Sequence, residues 1–266
     1  MSRATAPNIV LILLLSASAL TSALPGPKAP LTGPINNTNY EIYIFAAEYA
    51  GSVCIHMNCS VNFVKKRHFN MHGLWPEFRN GSWPQFCSQT PLDFLTLAPD
   101  VRDLLNEYWS GLFNSQQKFL THEWEKHGTC WKPDFGNINK MPTAIRPVVN
   151  LARDRAVQNP TDFLELVVTL LKDVYPFYRI LTNGGIQPSN TKRYTLAEVR
   201  GVIAKKLGVS GFAVQCYKQM YIETIYLCLD RDFQPTDGCD KIFGKSCGDE
   251  VIFPVDIIDN ATLAYQ

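Results

Sequence analysis

Apolar and polar positions change period along the chain, and the changes outline its elements. The run YEIYIFAAEY, from Tyr40 to Tyr49, is β-branched and aromatic enough to form a strand. The stretch leading into Phe69-Asn70-Met71-His72 has the same character; Gly73 then allows a tight turn and Trp75-Pro76 makes a rigid aromatic corner. Helical spacing follows. Pro91 to Trp109 carries it in two pieces broken by Pro99, and residues 119–127 form a helix stopped by Gly128. Thr161 to Val174, TDFLELVVTLLKDV, is a strong helix with Thr161 as N-cap and Pro176 beyond its end. Thr195-Leu196-Ala197-Glu198 is a capping box that opens a helix running to about Lys206, with Gly208 as its stop. Strand character returns in Phe212–Tyr217 and Met220–Leu229, read as a pair, and in Val251–Val255. Strands, then helices, then strands predict an α+β fold, with a central, largely antiparallel sheet flanked by helices. No internal repeat or low-complexity linker divides residues 39–266, which read as one domain.

The ends and the composition change this picture in three ways. Residues 1–23 have the build of a secretory signal peptide: Arg3, an apolar run from Ile9 to Leu15, then small residues up to Ala23. No later apolar run is long enough to span a bilayer, so no membrane anchor is expected. Residues 24–38, rich in Pro, Gly and Asn, read as an irregular arm. The formal charge of the whole chain is +1, and Arg3 is the only charge in the leader, so the remainder is neutral. A protein that coats nucleic acid is usually clearly basic, but neutrality leaves room for an enzyme that grips one phosphate locally. All eight cysteines follow the leader. An even count in an exported chain points to disulfides rather than metal ligands, although eight cysteines admit on the order of a hundred full pairings. Asn36, Asn80 and Asn260 head N-glycosylation sequons, and Asn58 heads a fourth that contains Cys59.

Candidate chemistry concentrates in HEWEKHGTC, residues 122–130. On a helix advancing about 100° per residue, with His122 as origin, Lys126 falls at roughly 40°, Glu123 at roughly 100° and His127 at roughly 140°. These four share a face. Trp124, at roughly 200°, points away to pack in the core. A zinc site fits poorly: the zinc metalloprotease helix spaces its histidines four apart, whereas His122 and His127 are splayed and Lys126 between them repels a cation. A cysteine nucleophile fits poorly too, because Cys130 is better used in a disulfide. What remains is proton transfer around an anion, with a solvated charged face as the bland alternative. The second cluster, FNMHGLWPE at 69–77, breaks the tie. Phosphodiester cleavage by two histidines needs one neutral imidazole and one imidazolium, plus a cation, and an aromatic ring can stack on a base. His127, His72, Lys126 and Trp75 supply them.

FNMHGLWPE and HEWEKHGTC together resemble the two active-site segments of the ribonuclease T2 family, exported RNA-cleaving enzymes. A weaker likeness runs from TDFLELVV to GFAVQC, so the resemblance covers most of the chain after the leader. It implies that His72 is the general acid and His127 the general base. It implies that Glu123 and Lys126 stabilise the pentacoordinate phosphorus, that His122 holds the phosphate and that Trp75 lines the base pocket. The product would be a 2′,3′-cyclic phosphate, later a 3′-phosphate, from an RNA substrate, with no metal or other cofactor. It also implies the pairs Cys87–Cys130, Cys54–Cys59, Cys216–Cys247 and Cys228–Cys239. The chain departs from the family pattern where Trp-Pro usually follows the first strand: Tyr49 and Ala50 stand there, and Glu48 stands where a glutamine is often seen. His56 and His68 match no catalytic position and read as surface or structural.

Two classes of function compete: a secreted, lysosomal or vacuolar endoribonuclease acting as a monomer, and a ribonuclease-like protein that only binds. The full set His72, Glu123, Lys126 and His127 favours the enzyme, since a binder has little reason to keep all four. With His72 held protonated by a nearby substrate phosphate, the expected pH optimum lies on the acidic side of neutral.

Overall fold

A computed structural model describes residues 39–57, 59, 67–113, 115–132, 137–155 and 159–255. The leader, the arm and the sequons at Asn36, Asn58 and Asn260 lie outside the described residues. The elements in chain order are strand β1 (Ile42–Glu48), helix α1 (Ala50–His56), β2 (Asn70–Glu77), α2 (Pro99–Tyr108), α3 (Gln116–Lys126), α4 (Arg146–Arg155), α5 (Pro160–Thr169), α6 (Phe177–Asn183), β3 (Tyr194–Thr195), α7 (Leu196–Leu207), β4 (Ala213–Tyr217), β5 (Tyr221–Leu229), β6 (Pro235–Thr236), α8 (Cys239–Phe243) and β7 (Glu250–Val251). The main sheet runs β2-β1-β5-β4, with β6 on β5, and every pairing is antiparallel. The expected α+β architecture is therefore what the chain adopts.

β1 is apolar on both faces because both are covered, alternate side chains going to opposite sides. Tyr43, Phe45 and Ala47 join the main core, whereas Ile42 and Ile44 pack with Cys228, Cys239, Trp75 and Tyr226. On the core side, Phe163 of α5 is the hub. Its ring lies 6.2 Å from Trp109, 5.7 Å from Trp124 and 5.7 Å from Trp131, tying α5 to the ends of α2 and α3. Trp124 is fully buried, as the helical phase predicts, and its indole donates to the Thr90 carbonyl at 2.7 Å.

Several boundaries differ from expectation for local reasons. Pro99 starts α2 at its first turn, where a missing N–H costs nothing, and only a short 3₁₀ turn, Phe94–Thr96, precedes it. Asn159, not Thr161, caps α5: its side chain accepts from Thr161 N at 2.8 Å, and Pro160 follows as the first helical residue. The last turn after α5 widens, with Tyr175 N donating to Leu170 O at 2.7 Å. The capping box at Thr195 and Glu198 forms as read, and Gly208 ends α7 at φ 73°. The short strand expected at 251–255 shrinks to β7, paired with β3.

The largest difference concerns β2. The strand does not stop at His72; it continues through Gly73, Trp75 and Pro76 to Glu77. Pro76 is tolerated because β2 is an edge strand. Gly73 makes no turn. An added Cβ there would overlap Trp75 Nε1 and Glu123 Oε2, so glycine is required for space.

All four disulfides pair as the resemblance implies: Cys54–Cys59, Cys87–Cys130, Cys216–Cys247 and Cys228–Cys239.

Candidate active site

β2 and α3 bring the two histidine clusters to one cleft of about 480 Å³, lined by His72, Trp75, His122, Glu123, Lys126 and His127. Ser115 caps the start of α3, its side chain accepting from Lys118 N at 3.3 Å. The helix ends at Lys126. His127 is its C-cap, at φ −114°, and its N–H still reaches the Glu123 carbonyl at 3.1 Å.

Trp75 stands between the two clusters. Its ring lies 5.2 Å from His72, edge to face, and 5.3 Å from His127. Its indole Nε1 donates to Glu123 Oε2 at 2.9 Å, and Glu123 is only 3% exposed. Burial raises the Glu123 pKa, and His72, the Trp75 bond and Lys126 counter that rise. β2 is also pinned by Trp109, whose indole donates to the His72 carbonyl at 2.9 Å.

The two imidazoles meet opposite electrostatics. His127 is 7% exposed, and its pKa lies well below the ordinary 6.5. Burial is the main cause, and Lys126, His122 and His72 add like-charge repulsion. Among the described residues its Nδ1 has no hydrogen-bond partner, so no acceptor at that nitrogen favours the charged ring. Burial also opposes charge on His72, whose side chain keeps 40% of its surface open. Glu48 overturns that effect: its Oε2 lies 3.3 Å from His72 Nδ1, and with help from Glu123 it raises the His72 pKa to about 9. His122 is exposed on the rim, and its pKa is lowered by partial burial, Lys126 and His72.

The structure thus brings together all six residues singled out in the two motifs. It adds Glu48 beside His72, which the sequence marks only as a departure from the family pattern, and cleft walls that carry no motif, among them Trp83, Phe119 and Phe243. It excludes His56 and His68 from the cleft. His56 pairs with Glu223 at 2.8 Å and stacks on Tyr217, and His68 stacks on Tyr108. No group of three or more metal-ligating side chains is placed to hold an ion among the described residues.

Two histidines biased to opposite charge states beside a fixed ammonium make a site for moving protons around an anion, on an α+β scaffold. The model of the ribonuclease T2 family matches residues 40–239, and the chain belongs to that family. It is an enzyme of the T2 endoribonuclease type. Ribonuclease DdI of Dictyostelium discoideum is 27% identical over 219 residues, covering 81% of this chain and 85% of that protein. Ribonuclease 3 of Arabidopsis thaliana is 29% identical over 231 residues, covering 81% and 90%. Among solved structures, RNase NT in complex with 5′-AMP superposes with a TM-score of 0.64 at 24% identity over 81% of this chain and 98% of that one, a likeness of fold.

Proposed function

We propose that this cleft cleaves single-stranded RNA by two-histidine acid–base transphosphorylation without a metal or other cofactor. Neutral His127 takes the proton of the ribose 2′-hydroxyl, and the 2′ oxygen attacks phosphorus. The bond to the 5′ oxygen breaks, and protonated His72 supplies the proton that the leaving oxygen needs. The products are a 2′,3′-cyclic phosphate and a 5′-hydroxyl end. Water then opens the ring to a 3′-phosphate with the two roles reversed. Lys126 and Glu123 stabilise the pentacoordinate phosphorus, His122 on the rim holds the phosphate, and Trp75 offers a face to a base. The internal nucleophile restricts the substrate to RNA.

The observation that carries this reading is the pair of imidazoles flanking Trp75, one beside Glu48 and the other buried beside Lys126. The leader and the paired cysteines support export, to the outside or to a lysosome or vacuole, and the sequons support glycosylation at Asn36, Asn80 and Asn260. Asn80 is exposed, and no described helix is long and apolar enough to cross a membrane. The test is cleavage of RNA and DNA oligonucleotides in excess EDTA, with the product ends identified. Cyclic-phosphate ends from RNA and intact DNA are expected. Activity lost in EDTA and restored by zinc or magnesium would refute the mechanism.

A further inference from the structure

Glu48 sits at the end of β1, in register with Asn70 of β2 on one side and Thr224 of β5 on the other. It is 7% exposed, so its carboxylate must be compensated. Asn70 is built for that. Its Nδ2 donates to Glu48 Oε1 at 3.2 Å and to the Ser110 carbonyl at 3.0 Å, and its Oδ1 accepts from Ser110 N at 2.8 Å. The amide is thus locked to the end of α2, and one carboxylate oxygen is fixed by it. The other, Oε2, is left facing His72 Nδ1 at 3.3 Å.

We infer that Glu48 is a positioning residue: it grips Nδ1 of His72, turns Nε2 on the far side of the ring toward the cleft, and sets the pH range over which the acid is loaded. The inference rests on the proposed mechanism for its catalytic consequence, but not for the pairing itself. The other charged or titratable groups facing His72 are Glu123, Lys126, His122 and His127, all from α3 and its C-cap. Tyr226 of β5 lies near Glu48 but stays neutral: burial and the carboxylates of Glu48 and Glu223 push its pKa up to about 12. Glu123 also favours the charged ring but already receives the Trp75 indole, whereas Lys126 opposes it. Glu48 is therefore the group that decides the state of His72. The arrangement matches the role of a third residue that orients a catalytic histidine through its inner nitrogen.

The test is Glu48→Gln, which keeps the shape and an oxygen for Asn70, alongside Glu48→Asp, which keeps the charge. NMR titration of the His72 ring without RNA should give about pH 9 in the parent. In Glu48→Gln it should fall toward the ordinary value of about 6.5, with Glu48→Asp between. The alkaline limb of kcat/KM should move down with it. Each unit of movement makes the variant about tenfold slower relative to the parent once the pH exceeds both limbs. An unmoved ring titration in Glu48→Gln would overturn the inference. So would a rise in KM that is the same at every pH with the limb unmoved, since that would make Glu48 a substrate contact. A high ring titration in a protein that cleaves no RNA would instead sink the proposed mechanism and leave the pairing standing.

Discussion

Replacing Gly73 by alanine adds one methyl group, and the structure fixes what that methyl meets. Gly73 lies inside β2, and its φ is not in the positive region, so the chain itself accepts alanine there. The obstacle is space: the new Cβ would overlap the Trp75 indole nitrogen and the Glu123 carboxylate, the two ends of the 2.9 Å bond that joins β2 to α3. Trp75 must swing away or the strand must shift. Overpacking of this kind costs about 1–3 kcal/mol, and losing a hydrogen bond to a buried charged group about 1.5–3 kcal/mol more. Both imidazoles rest against Trp75, so the activity loss should reach about a hundredfold, the penalty of moving a reacting group by about an ångström. Gly201→Ala is the matched control. Gly201 is exposed in the middle of α7, and a Cβ there meets nothing within 4 Å. It should gain about 0.4–1 kcal/mol from reduced freedom of the unfolded chain and keep full activity. Urea denaturation and initial rates on an RNA oligonucleotide would read both variants. If Gly73→Ala matched the parent in stability and rate, the placement of the indole across Gly73 would be wrong.

Further outcomes are expected. His72→Ala and His127→Ala should each lose about 10²–10⁴-fold in kcat, and the double variant should be little worse than either alone. His56→Ala and His68→Ala, outside the cleft, should cleave RNA nearly as the parent does; a tenth of parent activity in His127→Ala would refute its role. Cys87→Ala/Cys130→Ala opens a bridge of sequence separation 43, which chain entropy values at about 4 kcal/mol, measurable by denaturation. It should cost activity as well, because the bridge sits beside two bonds that fasten the Trp83–Cys87 segment to the end of α3, Phe86 N to Lys126 O and Cys87 N to Thr129 Oγ1. Lys126→Gln removes the second-largest cause of His127 staying neutral, so the acid limb of kcat/KM should move to higher pH.

Local chemistry was legible in the sequence; pairings across the sheet were not. The capping box of α7 needs only Thr195 and Glu198, and it forms as read. The inward turn of Trp124 follows from helical phase alone. The start of α5 was misplaced by two residues because Asn159 and Thr161 are both good caps, and Pro160 favours the earlier one. The continuation of β2 past Gly73 was hidden because Gly and Pro ordinarily end strands, and their tolerance here depends on edge position and on Trp75 needing room. α1 was missed, since Ala50-Gly51-Ser52 gives no periodic signal. Glu48 stood out only as a departure from the family pattern. Its partner lies on another strand, and nothing near it in sequence announces His72.

The expected acid optimum rests on substrate holding His72 charged. The structure separates the two histidines before substrate arrives. His127 loses its proton well below pH 6.5, because burial and Lys126 both oppose the charged ring, and it is then a loaded base. His72 keeps its proton to about pH 9, because Glu48 outweighs burial, and it is then a loaded acid. The rate requires both states at once, so kcat/KM should climb on the acid side as His127 deprotonates and fall as His72 does. Between those limbs lies a plateau that includes neutral pH, rather than a narrow acid peak. Glu48 of β1 is the largest influence raising His72, and Lys126 of α3 is the charged group that most depresses His127, so Glu48→Gln should move chiefly the alkaline limb. A phosphate bound between the rings would favour charge on both, shifting the acid limb upward in kcat relative to kcat/KM. A profile of kcat/KM that already peaked sharply near pH 5 would mean that Glu48 does not hold the ring of His72 in solution.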